Sequence, residues 1–252
     1  MAKPRSVLCS FKRYERKYLV SKSKAQDFLS LVSDRLSFDA FCVGGKKYRI
    51  YNIYFDTDDF AVIRESVSKP AFKEKARFRA YDNYAETGTG FLEIKRKIRG
   101  VVVKRRIALS EPDALSFIST GALPPAVDSQ MARELGWYFA CNDVSPKAYI
   151  SYDRMAFFCT DDKNIRVTFD DNILYRTQEV SILAGDGGQS LLPSDICILE
   201  LKFAEAMPVW MASALSECEI YPHSFSKYGN VYKQLITNNF SEVLTQNAAG
   251  NI

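Results

Sequence analysis

Arginine and lysine return at every second position through several short stretches of the chain. Lys75, Arg77 and Arg79 alternate with Ala76, Phe78 and Ala80. Glu93, Lys95 and Lys97 alternate with Leu92 and Ile94, and Lys104 and Arg106 share a spacing of two. Arg166 and Thr168 stand against Ile165, Val167 and Phe169, and Glu200 and Lys202 against Leu199, Leu201 and Phe203. Arg13, Glu15 and Lys17 open the series, and Arg154 is flanked by Ile150 and Tyr152. In an extended strand this spacing sends the charged set to one face. Guanidinium forks grip phosphate oxygens two at a time, and ammonium groups act as point charges. The chemistry available is the holding of a phosphorylated anion.

In one strand alone, such a pattern describes a sheet wetted on one side. The set as a whole differs, because its polar faces are rich in Arg and Lys instead of mixing Ser, Thr and Gln. Amphipathic helices can cover the apolar faces from outside, which turns the charged faces inward. Lys17, Arg77, Arg79, Lys95, Lys104, Arg106, Arg154, Arg166 and Lys202 exceed Glu15, Glu93 and Glu200 by about six charges under this alternation. Cations so placed repel and lose hydration. A threaded polyanion would neutralise them, and a remaining carboxylate could hold a divalent metal through oxygen.

The elements that must position these residues are nine period-two segments, at 13–20, 48–56, 71–81, 90–97, 101–109, 148–159, 164–170, 173–176 and 196–203. Helices fall between them. Ser23 to Gln26 fits a capping box ahead of Ala25, Phe28, Leu29, Val32 and Leu36 at helical spacing. Further helices are expected at 58–66, from Ser110 with Pro112 in the first turn, and at 128–141, 207–216 and 230–239. The expected architecture is α+β: a closed antiparallel eight-stranded β-barrel with helices packed outside, one domain over residues 1–252.

Composition narrows the field. At 25% charged and 47% hydrophobic, the chain has the balance of a globular protein, not of a disordered one. Thirty-four basic against thirty acidic side chains give +4, too little to announce a nucleic-acid binder. No apolar run approaches a membrane helix, and no signal peptide is apparent, so a cytoplasmic protein is expected. Six scattered cysteines with no C-x-x-C pair read as reduced thiols. The single histidine, His223, removes most metal-triad and Ser-His chemistry and reads as a surface loop residue. No glycine-rich phosphate loop is present, so side chains must do the binding. Tyr14, Tyr18, Tyr48, Tyr51 and Tyr54 read as strand packing in preference to base stacking, and Trp137 and Trp210 as core or helix–barrel contacts.

Eight stretches occur in a familiar order: Arg13–Tyr18 by number 13–18, then Tyr54-Phe55-Asp56-Thr57, Lys75-Ala76-Arg77-Phe78-Arg79, Phe91-Leu92-Glu93-Ile94-Lys95, Tyr152-Asp153-Arg154, 166–170, Leu199-Glu200-Leu201-Lys202 and Ser226-Lys227-Tyr228-Gly229. With them the chain resembles the triphosphate tunnel metalloenzyme superfamily and, within it, the VTC-type polyphosphate polymerase domain. The resemblance implies an eight-stranded tunnel whose lining holds a triphosphate or phosphate chain. It carries phosphate contacts to Lys17, Arg77, Arg79, Lys95, Arg154, Arg166 and Lys202. Ser226 and Lys227 belong near one tunnel mouth, and Lys104 and Arg106 fit by position. Glu200 is the implied ligand for Mn²⁺ or Mg²⁺. The hydrolytic branches begin with Glu-x-Glu-x-Lys, whereas Arg13 stands at the first position here. That departure favours transfer of the γ-phosphoryl of ATP to inorganic polyphosphate. A triphosphatase of the same fold and a polyphosphate-binding module without turnover are the alternatives.

Overall fold

The computed structural model describes residues 14–237, apart from residues 69, 83, 100, 126 and 128. Arg13 and Cys9 lie outside the described residues. In chain order the elements are β1 (Tyr14–Ser21), α1 (Lys22–Val32), β2 (Leu36–Phe38), β3 (Tyr48–Asp56), α2 (Ala61–Val67), β4 (Phe72–Tyr81), α3 (Tyr84–Thr87), β5 (Thr89–Ile98) and β6 (Val101–Ser110). They continue with α4 (Glu111–Thr120), α5 (Gln130–Cys141), β7 (Ser145–Cys159), β8 (Arg166–Arg176), β9 (Gln189–Ser190), β10 (Ile196–Phe203), α6 (Val209–Glu217) and α7 (residues 227–237).

The expectation of a closed barrel is corrected. All ten strands form one antiparallel sheet whose main path runs β1-β10-β8-β7-β3-β4-β5-β6, with β2 beside β7 and β9 beside β8. The path has the eight long strands foreseen, but its ends, β1 and β6, are not hydrogen-bonded to each other. β6 offers Lys104, Arg105 and Arg106 along its free edge, and charged edges resist pairing. The sheet nevertheless curls, because Lys95 Nζ of β5 comes within 3.6 Å of Glu15 Oε2 of β1.

Local chemistry accounts for the boundaries. Ser21, not Ser23, caps α1, with its hydroxyl accepting from the N–H of Lys24 at 3.2 Å. Ser110 caps α4 as expected, and Gly121 ends that helix at φ 72°, a left-handed conformation in which glycine is unstrained. The break foreseen around residues 171–172 is absent. β8 runs through it, with Asn172 at φ 46° and a register shift opposite, between Ser151 and Asp153. The irregularity is a bulge, which bends a strand without ending it.

Helices cover the outside of the curl, as the alternation required. α1 and α6 bury Phe28, Val32, Met211 and Leu215 against the outer faces of β1, β8 and β10, including Tyr18, Val167, Leu199 and Leu201. α4 and α5 bury Phe117, Leu135 and Tyr138 against Ile53, Phe78, Leu92 and Ile94 of β3 to β5. Trp137 departs from its expected packing, being 66% exposed, whereas Trp210 packs against the first of these cores. A third apolar cluster lies on the inner face at one end of the hollow, where Tyr228 and Val231 of α7 meet Ile50, Ile150, Tyr152 and Ile198. Among the described residues no helix is long and apolar enough to cross a membrane.

Candidate phosphate-binding hollow

Register places the charged side chains in rows across the inner face. Lys95 of β5 stands between Lys75 of β4 and Lys104 of β6. The next row holds Tyr54, Arg77, Glu93 and Arg106. Across the curl, Lys17 faces Glu200, and Glu15 faces Lys202, which faces Arg166. Three buried carboxylates organise the cations.

Glu93, 1% exposed, is the first. Arg77 donates to its Oε2 through Nε at 2.8 Å, with Nη2 also at 2.8 Å, and Lys104 pairs with its Oε1. Arg79 is held by Asn52 Oδ1 (3.1 Å) and donates to the Tyr152 hydroxyl (3.3 Å). Burial alone would raise the Glu93 carboxyl, but Arg77, Arg79 and Lys104 bring it down to about 2. Glu200 is the second, and it pairs with Lys202 and, at 3.6 Å, with Lys17. Lys17 also reaches Glu15 at 3.1 Å, so one ammonium joins two carboxylates. Burial works against the charged forms of both, yet mutual attraction with Lys202 and Lys17 holds Glu200 well below the usual carboxylate range and Glu200 and Glu15 hold Lys17 above the usual lysine value.

Asp170 is the third, with no exposed surface. Arg154 forks onto it at 2.6 and 2.7 Å, and Lys227 of α7 donates to its Oδ2 at 2.5 Å. Burial would raise this carboxyl, but Arg154 and Lys227 depress it to about 2. Arg154 and Lys227 also lie over the Tyr152 ring, at 5.3 and 4.1 Å. Against burial, Arg79, Arg154 and Lys227 lower that phenol to about 8.

The structure therefore brings together Lys17, Arg77, Arg79, Lys95, Lys104, Arg154, Lys202, Lys227 and Glu200. Other named residues stand apart. Arg166 is 55% exposed at the rim, where it meets Asp39 at 3.4 Å. The Arg106 guanidinium lies 4.8 Å over the Phe91 ring. Ser226 accepts the N–H of Gly229 at 3.1 Å and so caps α7, next to Lys227. His223 is exposed, as expected, and its backbone N–H donates to the Lys17 carbonyl at 2.7 Å. Asp56 is buried and structural, since it accepts N–H groups of Thr57, Val62 and Ile63 and the Tyr228 hydroxyl at 2.8 to 3.0 Å.

Sequence reasoning passed over Lys75, Asp170, Tyr152 and Asn52 as site residues. The signal for three of them was present, because each shares the alternation of a named cation: Lys75 two positions before Arg77, Tyr152 two before Arg154, and Asp170 four after Arg166. Asn52 could be found only from the folded register, which sets it beside Arg79 and lets its amide donate to the Ile150 carbonyl at 3.0 Å.

Burial, with Lys73, Lys95 and Lys17 nearby, lowers Lys75 to about 8; burial also lowers Lys104 to about 8 despite Glu93. An anion needs the ammonium forms. A free lysine keeps its proton to about pH 10.4, whereas these two lose theirs from about pH 8 upward. Affinity for tripolyphosphate should fall about tenfold or more between about pH 7 and about pH 9.5, with net proton uptake on binding near about pH 9. Titration calorimetry in buffers of different ionisation enthalpy reads both, and an affinity flat across that range would contradict a role for these lysines.

For a divalent metal, the donor set is hard oxygen: Glu200, with Glu15 on the far side of Lys17. Among the described residues no group of three or more His, Cys, Asp or Glu side chains converges. Mg²⁺ and Mn²⁺ fit such a set, since small hard cations commonly use one or two carboxylates and take their other ligands from water and substrate phosphates.

A curled antiparallel sheet with helices outside and a cation-lined hollow defines the fold and the site, and comparison with known proteins places the chain in a family. The VTC domain family model matches residues 12–236, and the chain belongs to that family. No protein of curated function matches it in sequence. Among solved structures, a putative adenylate cyclase from Bacillus halodurans superposes with a TM-score of 0.52 at 16% identity, covering 84% of this chain and 92% of the other. A putative adenylate cyclase from Vibrio parahaemolyticus gives 0.46 at 13% identity, covering 87% and 97%. At such identities the first likeness is one of fold alone.

Proposed function

We propose that this protein is a metal-dependent polyphosphate polymerase that transfers the γ-phosphoryl group of ATP to the end of an inorganic polyphosphate chain. The observation that carries the reading is that the three buried carboxylates set among the cations of the hollow are themselves held by those cations. Glu93, Glu200 and Asp170 are each paired at least twice. None is left as a base to activate water. A terminal phosphate oxygen is already ionised and attacks without one, so the arrangement suits a phosphate acceptor better than a water molecule.

In the reaction an oxygen of the chain terminus forms a bond to the γ-phosphorus as the bond to the β-bridging oxygen breaks, and ADP leaves with that electron pair. Arg77, Arg79 and Arg154 spread over the transferring oxygens and stabilise their charge. Lys17, Lys95 and Lys202 hold the β- and γ-phosphates and the acceptor. Glu200 and Glu15 would hold Mn²⁺ or Mg²⁺, which supplies further neutralisation of the triphosphate when bound.

Purified protein incubated with ATP and Mn²⁺ should accumulate polymer that a polyphosphate-specific exopolyphosphatase degrades, with ADP released in step. Orthophosphate without polymer would instead assign a triphosphatase of the same fold. Tight polyphosphate binding with no turnover would assign a receptor.

A further inference from the structure

Four aromatic rings meet where β3 and β4 join at the mouth of the hollow, and two of them, Tyr48 and Tyr81, also pack against the apolar cluster that α7 enters. Tyr48 is the first residue of β3, Tyr81 the last of β4, and Phe91 lies near the start of β5. All three alternate with the cation set and so face inward. Phe41 comes from the 39–47 segment. Its ring lies 6.1 Å from that of Tyr81 at an interplanar angle of 9°, and 5.9 Å from that of Tyr48. Tyr81 in turn lies 6.2 Å from Tyr48 and 6.1 Å from Phe91.

Two features separate this group from an ordinary small core. Phe41 is 63% exposed, although its backbone is pinned: Asp39 N–H donates to Ala156 O at 2.8 Å and Cys42 N–H to Asp39 O at 2.9 Å. A phenyl ring is thus held in place with most of its surface uncovered. The second feature is position. Tyr48 is the register partner of Arg154 and Phe91 that of Arg79, so the rings stand one residue from the arginines of the phosphate hollow. Arg106 extends the platform, lying over Phe91. Flat π-faces beside guanidinium groups suit a molecule with a planar aromatic end and a polyanionic end.

We propose that Phe41, with Tyr48, Tyr81 and Phe91 behind it, is the platform on which the base of a nucleoside triphosphate stacks while its phosphates enter the hollow. This rests on the reading that the hollow holds the triphosphate. It assigns to Tyr48 a role in addition to strand packing. Inorganic tripolyphosphate has no base and gains nothing from the platform.

The test compares ATP with tripolyphosphate on the full chain in the presence of Mg²⁺. Phe41→Ala should weaken ATP by about 5- to 100-fold, the effect of losing one stacked ring, and leave tripolyphosphate within about twofold. The fluorescence of 1,N6-ethenoadenosine triphosphate should be quenched on binding the unaltered protein and less so on binding Phe41→Ala. Phe41→Leu keeps an apolar side chain but no π-face and should behave as Phe41→Ala, with thermal unfolding unchanged. Unchanged ATP affinity in both variants overturns the platform while the phosphate hollow stands, as does an equal loss for ATP and tripolyphosphate. A dimer of the unaltered protein that Phe41→Ala dissociates without loss of ATP affinity assigns the rings to a self-interface and overturns it too. Failure of the unaltered protein to bind either compound overturns platform and hollow together.

Discussion

Glu200→Gln should lower polymer synthesis by about 100-fold or more, the scale on which a single electrostatic group in a transition-state site acts. Its effect on binding should run the other way in the absence of metal. Glu200 holds Lys17 and Lys202, and glutamine of the same size releases both ammonium groups to an anion. With a chelator present, the variant should bind tripolyphosphate at least as tightly as the unaltered protein. Addition of Mn²⁺ should tighten binding by the unaltered protein and leave the variant unmoved. This opposition of signs separates a metal ligand from a mere ion-pair partner. A variant that keeps both its turnover and its response to Mn²⁺ would remove Glu200 from the metal site.

Asp170→Asn should be costly to stability. Arg154 and Lys227 are 12% and 11% exposed, and among the described residues Asp170 is the carboxylate that both of them pair with. Removing one member of a buried ion cluster leaves its charges uncompensated, at a cost of about 3–5 kcal/mol. In a chain of this size that lowers Tm by about 6–20 °C. The pH dependence has a definite sign. The Asp170 carboxyl is depressed to about 2, so its contribution is complete above the ordinary aspartate range and disappears as pH falls through about 2. The gap between variant and parent should be full near neutrality and close in acid. Polyphosphate should restore more of the variant's Tm than it adds to the parent's, because the anion takes the place of the missing carboxylate. Equal Tm values at neutral pH, read by differential scanning calorimetry, would make Asp170 a bystander.

Much of the site could be read in advance, because alternation in a strand is strict. Once Arg77, Glu93 and Lys202 were placed on strands, their common face followed, and the helices on the other face followed from Ala76, Leu92 and Leu201. Closure of the sheet could not be read, since hydrogen bonding between β1 and β6 depends on how far the curl carries two edges, which no period-two pattern encodes. The same pattern misplaced Arg166, whose face is right but whose level is at the rim, beside Asp39. It suggested a break at residues 171–172, where the chain absorbs a bulge through Asn172. Ser226 has a local task that the resemblance did not give it, since its oxygen accepts the Gly229 N–H and caps α7. Phe41 gave no signal, because its neighbours come from β3 and β4 and only the folded loop brings them together.

The pairing of β1 with β10 joins Tyr14 to Phe203, the first strand of the sheet to the last. During synthesis on the ribosome the first strand must therefore wait, unmated, until the last has emerged. Contacts this distant along the chain fold slowly. Lys17 meets Glu200 and Glu15 meets Lys202 only at that final docking, so a nascent protein exposes scattered cations but no assembled cradle. Capture of long anions is postponed until β10 has been made.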